Sequence, residues 1–285
     1  MPPTLLPHYV TEWRKAAPTP VTLRARLRAA ARGTLLDLNH LVHRPPAKAF
    51  LRGVYCHYVF DDQREDFERI ITRLKTQGQF VDTDTCLDMV EGRRPVDGPY
   101  FHLSFDDGFR NVFTNALPVL QRHGVPAIFF VPTAFVEADW ETARRYCLET
   151  AAYHGVIEMV KWEDLRAMVA AGFEVGSHTM THARFSDISA DPKRLELELA
   201  GSKQMMEAKL GRECKYISWP YGTLQDADDT SLQMAAKAGY RGCFGAIRGS
   251  IQPGRTDRYR IPRHHFEAQW PVRHVSYFAR GGHER

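Results

Sequence analysis

Apolar residues along this chain follow two alternating rhythms. Short apolar runs stand at "GVYCHYV" (Gly53 to Val59), "YFHLSF" (Tyr100 to Phe105), "AIFFV" (Ala127 to Val131), "FEVGS" (Phe173 to Ser177), "YISW" (Tyr216 to Trp219) and "GCFGA" (Gly242 to Ala246). Between them, apolar positions recur every three or four residues. Phe67, Ile70, Ile71 and Leu74 share one helical face, with Gly78 as the stop. A second well-marked helix begins near Asp191-Pro192, carries Leu195 and Leu199, and ends at Gly211. The runs predict strands, and no hairpin-type turn joins one to the next, so crossover helices and parallel pairing follow. The pattern therefore predicts an α/β fold, a closed or nearly closed β/α barrel, whose functional groups gather at the C-terminal ends of the strands. No internal repeat or low-complexity segment interrupts it.

The first 50 residues read differently. Leu23, Leu27, Ala30, Leu38 and Leu41 fall on one face at helical spacing and Arg24, Arg28 and Arg32 on another, which predicts a basic amphipathic helix over residues 21–42, with Gly33 in its middle. "HRPPAKAF" (His43 to Phe50) reads as a linker, because consecutive prolines stop a helix. Residues 1–50 are thus expected to form an N-terminal basic helical extension and linker, and residues 51–285 the barrel. Such a helix either docks on the body or makes peripheral contact with an anionic membrane surface.

Charge sharpens this division. The chain of 285 residues carries a net +4, yet residues 1–50 hold eight Lys/Arg against Glu12 and Asp37, which leaves the remainder slightly acidic. A basic leader on a near-neutral body argues against a nucleic-acid-binding core. No run reaches the roughly 18 apolar residues of a membrane span, and the N-terminus lacks the basic-then-apolar order of a secretory signal. A cytoplasmic protein, free or at the inner membrane face, is the expectation. Five scattered cysteines with no paired spacing suit reduced thiols.

Positions just after the predicted strands hold most of the obvious chemistry. His57 follows the first, Asp106 and Asp107 the second, His178 and His182 follow "FEVGS", and Pro220-Tyr221-Gly222 follow "YISW". Neighbouring residues of an extended chain point in opposite directions, so the two acids serve different partners. His178 and His182 are four apart, which puts both imidazoles on one face if the segment turns helically, at a spacing used to grip zinc. One carboxylate completes a His-His-Asp set, and the other is free to accept a proton from water.

These residues resemble the polysaccharide deacetylase family, carbohydrate esterase family 4. "SFDDG" is similar to its first motif, "HTMTH" to its second and "WPYG" to the end of its third, and the likeness runs from about Gly53 to about His265. The resemblance implies a distorted barrel of about seven β/α repeats and removal of an N-acetyl group from an amino sugar. It further implies Asp106 as general base, Asp107, His178 and His182 as metal ligands, usually to zinc, and the Tyr221 N–H as donor to the oxyanion, with Pro220 stiffening that turn. The family's third motif normally carries an arginine where this chain has Ser218. Arg263 is a substitute for that charge. His264 or His265 of "YRIPRHHFE" is the expected proton donor to the leaving amine, with His274 a further choice, and His57 and Trp219 are expected to line the substrate, with Trp270 as added stacking surface.

The expected substrate is an N-acylated amino sugar, nucleotide-linked, lipid-linked or free, with N-formyl groups and other linear or cyclic amides as alternatives. A glycan-binding or scaffold protein on the same fold is the rival class. Phosphoryl transfer on Asp106 is disfavoured, because neither a phosphate-cradling glycine loop nor a nearby lysine accompanies it.

Overall fold

The structure is a computed structural model that describes residues 8–16 and 49–282; the helix expected over residues 21–42, and any membrane contact through it, lie outside the described residues. Seven strands form a nearly closed parallel barrel. They are β1 (Phe50–Cys56), β3 (Pro99–Phe105), β4 (Ile128–Val131), β5 (Glu174–Ser177), β6 (Tyr216–Ser218), β7 (Gly242–Phe244) and β8 (Arg263–His265), while the two-residue β2 (Gln79–Phe80) pairs beside β3. The order β7-β6-β5-β4-β3-β1-β8 is parallel at every pairing. The ends meet where Ile261 bridges Phe244: Ile261 N–H donates to Cys243 O at 3.0 Å and Gly245 N–H to Ile261 O at 2.9 Å.

Alternation along the strands builds two apolar layers. Ile128, Phe130, Tyr216, Phe244 and Ile261 cluster in one layer, which fills the barrel. Val54, Phe101, Leu103, Phe105, Phe129 and Ile217 pack outward in the other, against helices such as Arg64–Lys75, which buries the predicted Phe67, Ile70, Ile71 and Leu74. Close packing requires glycine at Gly53, where an added Cβ would meet the Arg263 Cγ at 2.8 Å, and at Gly176, where it would meet the Phe130 ring at 2.7 Å.

Five of the six expected strands match to within a residue at their starts, and two of those end one or two residues early. The first lies three residues upstream of Gly53–Val59, because Tyr58 and Phe60 are apolar for another reason: they bury into a separate cluster at the barrel mouth with Phe109, Tyr146 and Ile157. Two strands escaped the pattern, β2 for its shortness and β8 because Arg-His-His is polar. Residues 8–16, part of the expected extension, dock on the body through Val10 N–H to Val156 O at 2.8 Å and Trp13 N–H to the Asp62 carboxylate at 2.8 Å. All five cysteines are buried and unpaired, as expected. Among the described residues, no helix is long and apolar enough to cross a membrane.

Candidate metal and catalytic site

Asp106 and Asp107 leave the end of β3 in different directions because the backbone turns left-handed at Asp107, with φ 71°. Asp106 continues the inward face and meets Arg263 of β8. Arg263 NH1 and NH2 donate to the two carboxylate oxygens at 2.8 Å each, and the other donors reach Ser104 Oγ at 2.9 Å, Ser218 Oγ at 2.7 Å and Gly245 O at 2.9 Å. All five guanidinium hydrogens are thereby used. The small Ser218 leaves room for this side chain from across the barrel and adds a hydroxyl that donates to Asp106 at 3.3 Å. Burial opposes ionisation of Asp106, but the nearby Arg263 and His178 outweigh it and hold the carboxyl below its ordinary value.

Asp107 turns to the two histidines. Its Oδ1 lies 3.4 Å from His178 Nε2 and 3.3 Å from His182 Nε2, and its Oδ2 accepts the Tyr153 hydroxyl at 2.6 Å. One ligand atom from each of Asp107, His178 and His182 lies within 4.8 Å of the others, and all three residues are buried. His178 Nδ1 sits 2.8 Å from Ser218 O; that carbonyl accepts the ring N–H, so the network assigns the hydrogen to Nδ1 and turns Nε2 toward Asp107. A buried set of two imidazoles and a carboxylate fits one divalent cation. Burial resists the charge on Asp107, yet hydrogen bonds to both histidines leave its carboxyl well below the ordinary range. Burial depresses both imidazoles; Asp107 and Asp106 reverse this for His178, which ends raised, whereas His182 stays lowered.

"HTMTH" is not helical. The two imidazoles converge because the chain turns left-handed at Thr179, φ 68°, and His182, φ 60°. Side chains behind the loop hold that shape: Ser202 Oγ donates to Thr179 O at 3.0 Å, and the Glu198 carboxylate accepts Thr181 N–H at 2.8 Å. The spacing of four thus reached the right residues through a different backbone.

A cavity of about 880 Å³ opens over this centre and is lined by His57, Tyr221, Arg263 and His265 among others. Tyr221 is left-handed, φ 63°, and 41% exposed, and among the described residues its N–H has no acceptor. Pro220 lies beneath the turn, outside the cavity lining, where its carbonyl accepts Gly222 N–H at 2.7 Å. Trp219 lines the cavity but is only 1% exposed, with its Nε1 donating to Thr223 O at 3.2 Å, so most of its ring is packed against the body. The two histidines of β8 separate by alternation. His265 faces the cavity, 4.9 Å from the His57 ring, whereas His264 faces the other side and meets Arg52 NH1 at 3.0 Å, which removes it as a proton donor here. Burial, with His57 next, pushes His265 down to about 3. His274 is buried in helix Val272–Ala279, away from the cavity lining, and Trp270 reaches the site only by packing on His265 at 5.6 Å. Sequence reading missed Tyr153, which lies in a loop with no strand-end or spacing signal.

A family model described as polysaccharide deacetylase matches residues 93–243. Among curated proteins, a chitooligosaccharide deacetylase of Sinorhizobium fredii is 32% identical over 166 residues, covering 56% of this chain and 61% of that protein. A poly-beta-1,6-N-acetyl-D-glucosamine N-deacetylase of Staphylococcus aureus is 26% identical over 168 residues, covering 56% and 52%. This chain therefore spans about half to three-fifths of the length of the curated relatives it matches. In fold, it is similar to IcaB from Ammonifex degensii, with a TM-score of 0.66 at 24% identity over 82% of this chain and 98% of that one. The deacetylase PplD of Streptococcus pyogenes gives 0.64 at 17% identity over 82% and 99%.

Proposed function

The chain belongs to the polysaccharide deacetylase family, and from that membership we propose that it is a metal-dependent hydrolase that removes an N-acetyl or N-formyl group from an amino sugar. The observation that carries this reading is the buried Asp107, His178 and His182 set standing beside a separately tethered Asp106. Asp107, His178 and His182 would hold the cation, with zinc the ion this donor set suits. A bound cation supplies Lewis-acid polarisation of the amide carbonyl and makes water a better nucleophile at neutral pH.

Asp106 is ionised at neutral pH and takes the proton of the attacking water. Arg263 fixes the direction in which that carboxylate points. The Tyr221 N–H, lacking another acceptor, donates to the oxygen that gains charge. On the leaving-group side, the departing amine must take up a proton, because an amide anion is a very poor leaving group, and His57 and His265 line the cavity there with their rings 4.9 Å apart.

Acetate and formate release tests the proposal. Zinc-loaded protein is incubated with N-acetylglucosamine, its oligomers and their N-formyl analogues, and the acid set free is measured. Asp106→Asn should bind zinc and lose turnover by at least about a hundredfold. Full activity in Asp106→Asn would overturn the assignment of the base.

A further inference from the structure

Two loops meet beside the candidate centre, one carrying His182 and the other Tyr221, whose N–H no described residue accepts. Tyr221 and the following Gly222 are both left-handed, with φ 63° and 76°. Successive residues of that hand are ordinarily Gly, Asn or Asp, because a Cβ crowds the next carbonyl oxygen. Gly222 meets the rule, and an added Cβ there would stand 2.4 Å from the Ala246 Cβ. Tyr221 does not meet it. A bulky residue keeps such a backbone only where its surroundings hold it there.

Arg184 supplies that hold. It follows His182 by two residues, stays outside the cavity lining, and places its guanidinium carbon 3.8 Å from the centre of the Tyr221 ring. The same ring packs against the His182 ring at 5.2 Å. A surface arginine on an aromatic ring is by itself a weak contact, but this one is anchored. Its NH1 donates to Asp226 Oδ1, and the Asp226 side chain is only 2% exposed. The other oxygen of that carboxylate accepts the Thr223 N–H at 2.8 Å and the Thr223 hydroxyl at 2.6 Å, while Asp226 O accepts Ser186 N–H at 3.0 Å. One buried acid thus ties the loop of Arg184 to the turn of Tyr221. Gly222 N–H donates to Pro220 O and Ala246 N–H to Gly222 O, each at 2.7 Å, which closes the turn around the Tyr221 N–H.

Resting on the deacetylase reading above, we propose that Arg184 is a positioning residue for the oxyanion donor. Stacked on Tyr221 and tied to Asp226, it holds the left-handed turn in the conformation that presents the Tyr221 N–H to the reacting oxygen. Arg184 touches no reacting atom and acts through Tyr221. Because the oxygen gains its charge only as water attacks, loss of this hold should appear in kcat and leave KM unmoved.

Acetate release from N-acetylglucosamine oligomers at saturating zinc tests this. Arg184→Met should lose about tenfold in kcat with KM changed by less than about twofold, and Arg184→Lys, which keeps a cation over the ring, should return to within about threefold of the wild type. A raised KM with unchanged kcat, or loss of bound zinc from Arg184→Met, would overturn the role, since the residue would then act on substrate or through His182. A double-mutant cycle identifies the route. Tyr221→Gly keeps the backbone N–H and adopts left-handed backbone without strain, so adding Arg184→Met to it should cost less than about twofold in kcat. A full tenfold loss in that background would show that Arg184 does not act through the Tyr221 side chain.

Amide hydrogen exchange needs no substrate and separates this proposal from the deacetylase reading. Residues 220–227 should exchange at least about tenfold faster in Arg184→Met than in the wild type, with β3 unchanged. Unchanged exchange at the turn, or equal acceleration in β3, overturns the hold even if acetate is released. Faster exchange confined to the turn, in a protein that frees no acid from any sugar, keeps the hold and overturns the deacetylase reading.

Discussion

Arg263, on the last strand of the barrel, grips both carboxylate oxygens of Asp106, on the end of β3, at 2.8 Å each. Both are buried, at 1% and 4% exposure, so neither charge has water to fall back on. Removing one member leaves the other uncompensated. Arg263→Met should cost about 3–5 kcal/mol in urea unfolding. The double variant Asp106→Asn with Arg263→Met should recover more than half of that loss while remaining inactive. A double variant as unstable as the single would show that Arg263 contributes mainly by packing on Tyr55, whose ring lies 4.4 Å from its guanidinium carbon.

How much of this could be read from the chain alone depends on where each group's information sits. Asp106, Asp107, His178 and His182 follow apolar runs that announce their strands, and alternation then aims them. Arg263 stood out only through a missing partner, since Ser218 occupies the place of an expected arginine. The polar β8 gives no strand signal, so the choice between His264 and His265 stayed open until the pairing of Val54 with His264 and Tyr55 with His265 fixed their faces. Tyr153, Trp13 and Glu267 were illegible for a different reason. They belong to loops and to a terminal segment, and tertiary packing alone brings them to the cavity.

Tyr153 donates to the Asp107 oxygen that faces away from the histidines. A hydrogen bond to a charged group contributes about 1.5–3 kcal/mol, and loss of such outer partners weakens metal sites by about 10- to 100-fold. Tyr153→Phe should therefore raise the zinc dissociation constant by at least about tenfold, measured by competition with a chromophoric chelator. An unchanged constant would mean that the Asp107 carboxylate is held by the left-handed turn alone.

Stability should track the metal. A ligand that binds only the folded state at a hundredfold excess over its dissociation constant adds about 2.7 kcal/mol. Zinc should raise the melting temperature of the wild type, and a chelator should reverse the rise. His178→Ala should show no shift at the same zinc concentration, and His264→Ala should respond like the wild type, because His264 faces away from the site. Equal responses in the two variants would place the cation elsewhere.

Acid should weaken the fold through His102. This residue lies inside the barrel, its ring stacked on Phe244 at 5.0 Å and its Nε2 3.2 Å from Thr83 Oγ1. Burial, aided by the positive charge of Arg263, pushes it down to about 3 from an ordinary 6.5. The unfolded chain takes up a proton below pH 6.5 and the folded one does not. The stabilisation is therefore complete above that pH and is lost as pH falls toward 3. For one histidine the slope approaches about 1.4 kcal/mol per pH unit within that window. His265, also held near 3, adds a slope of the same sign. Urea unfolding of the metal-free protein at pH 7, 6 and 5 should give falling stabilities, with a shallower fall in His102→Gln. Parallel slopes in the two proteins would show that His102 keeps its proton in the fold, against the direction set by its burial.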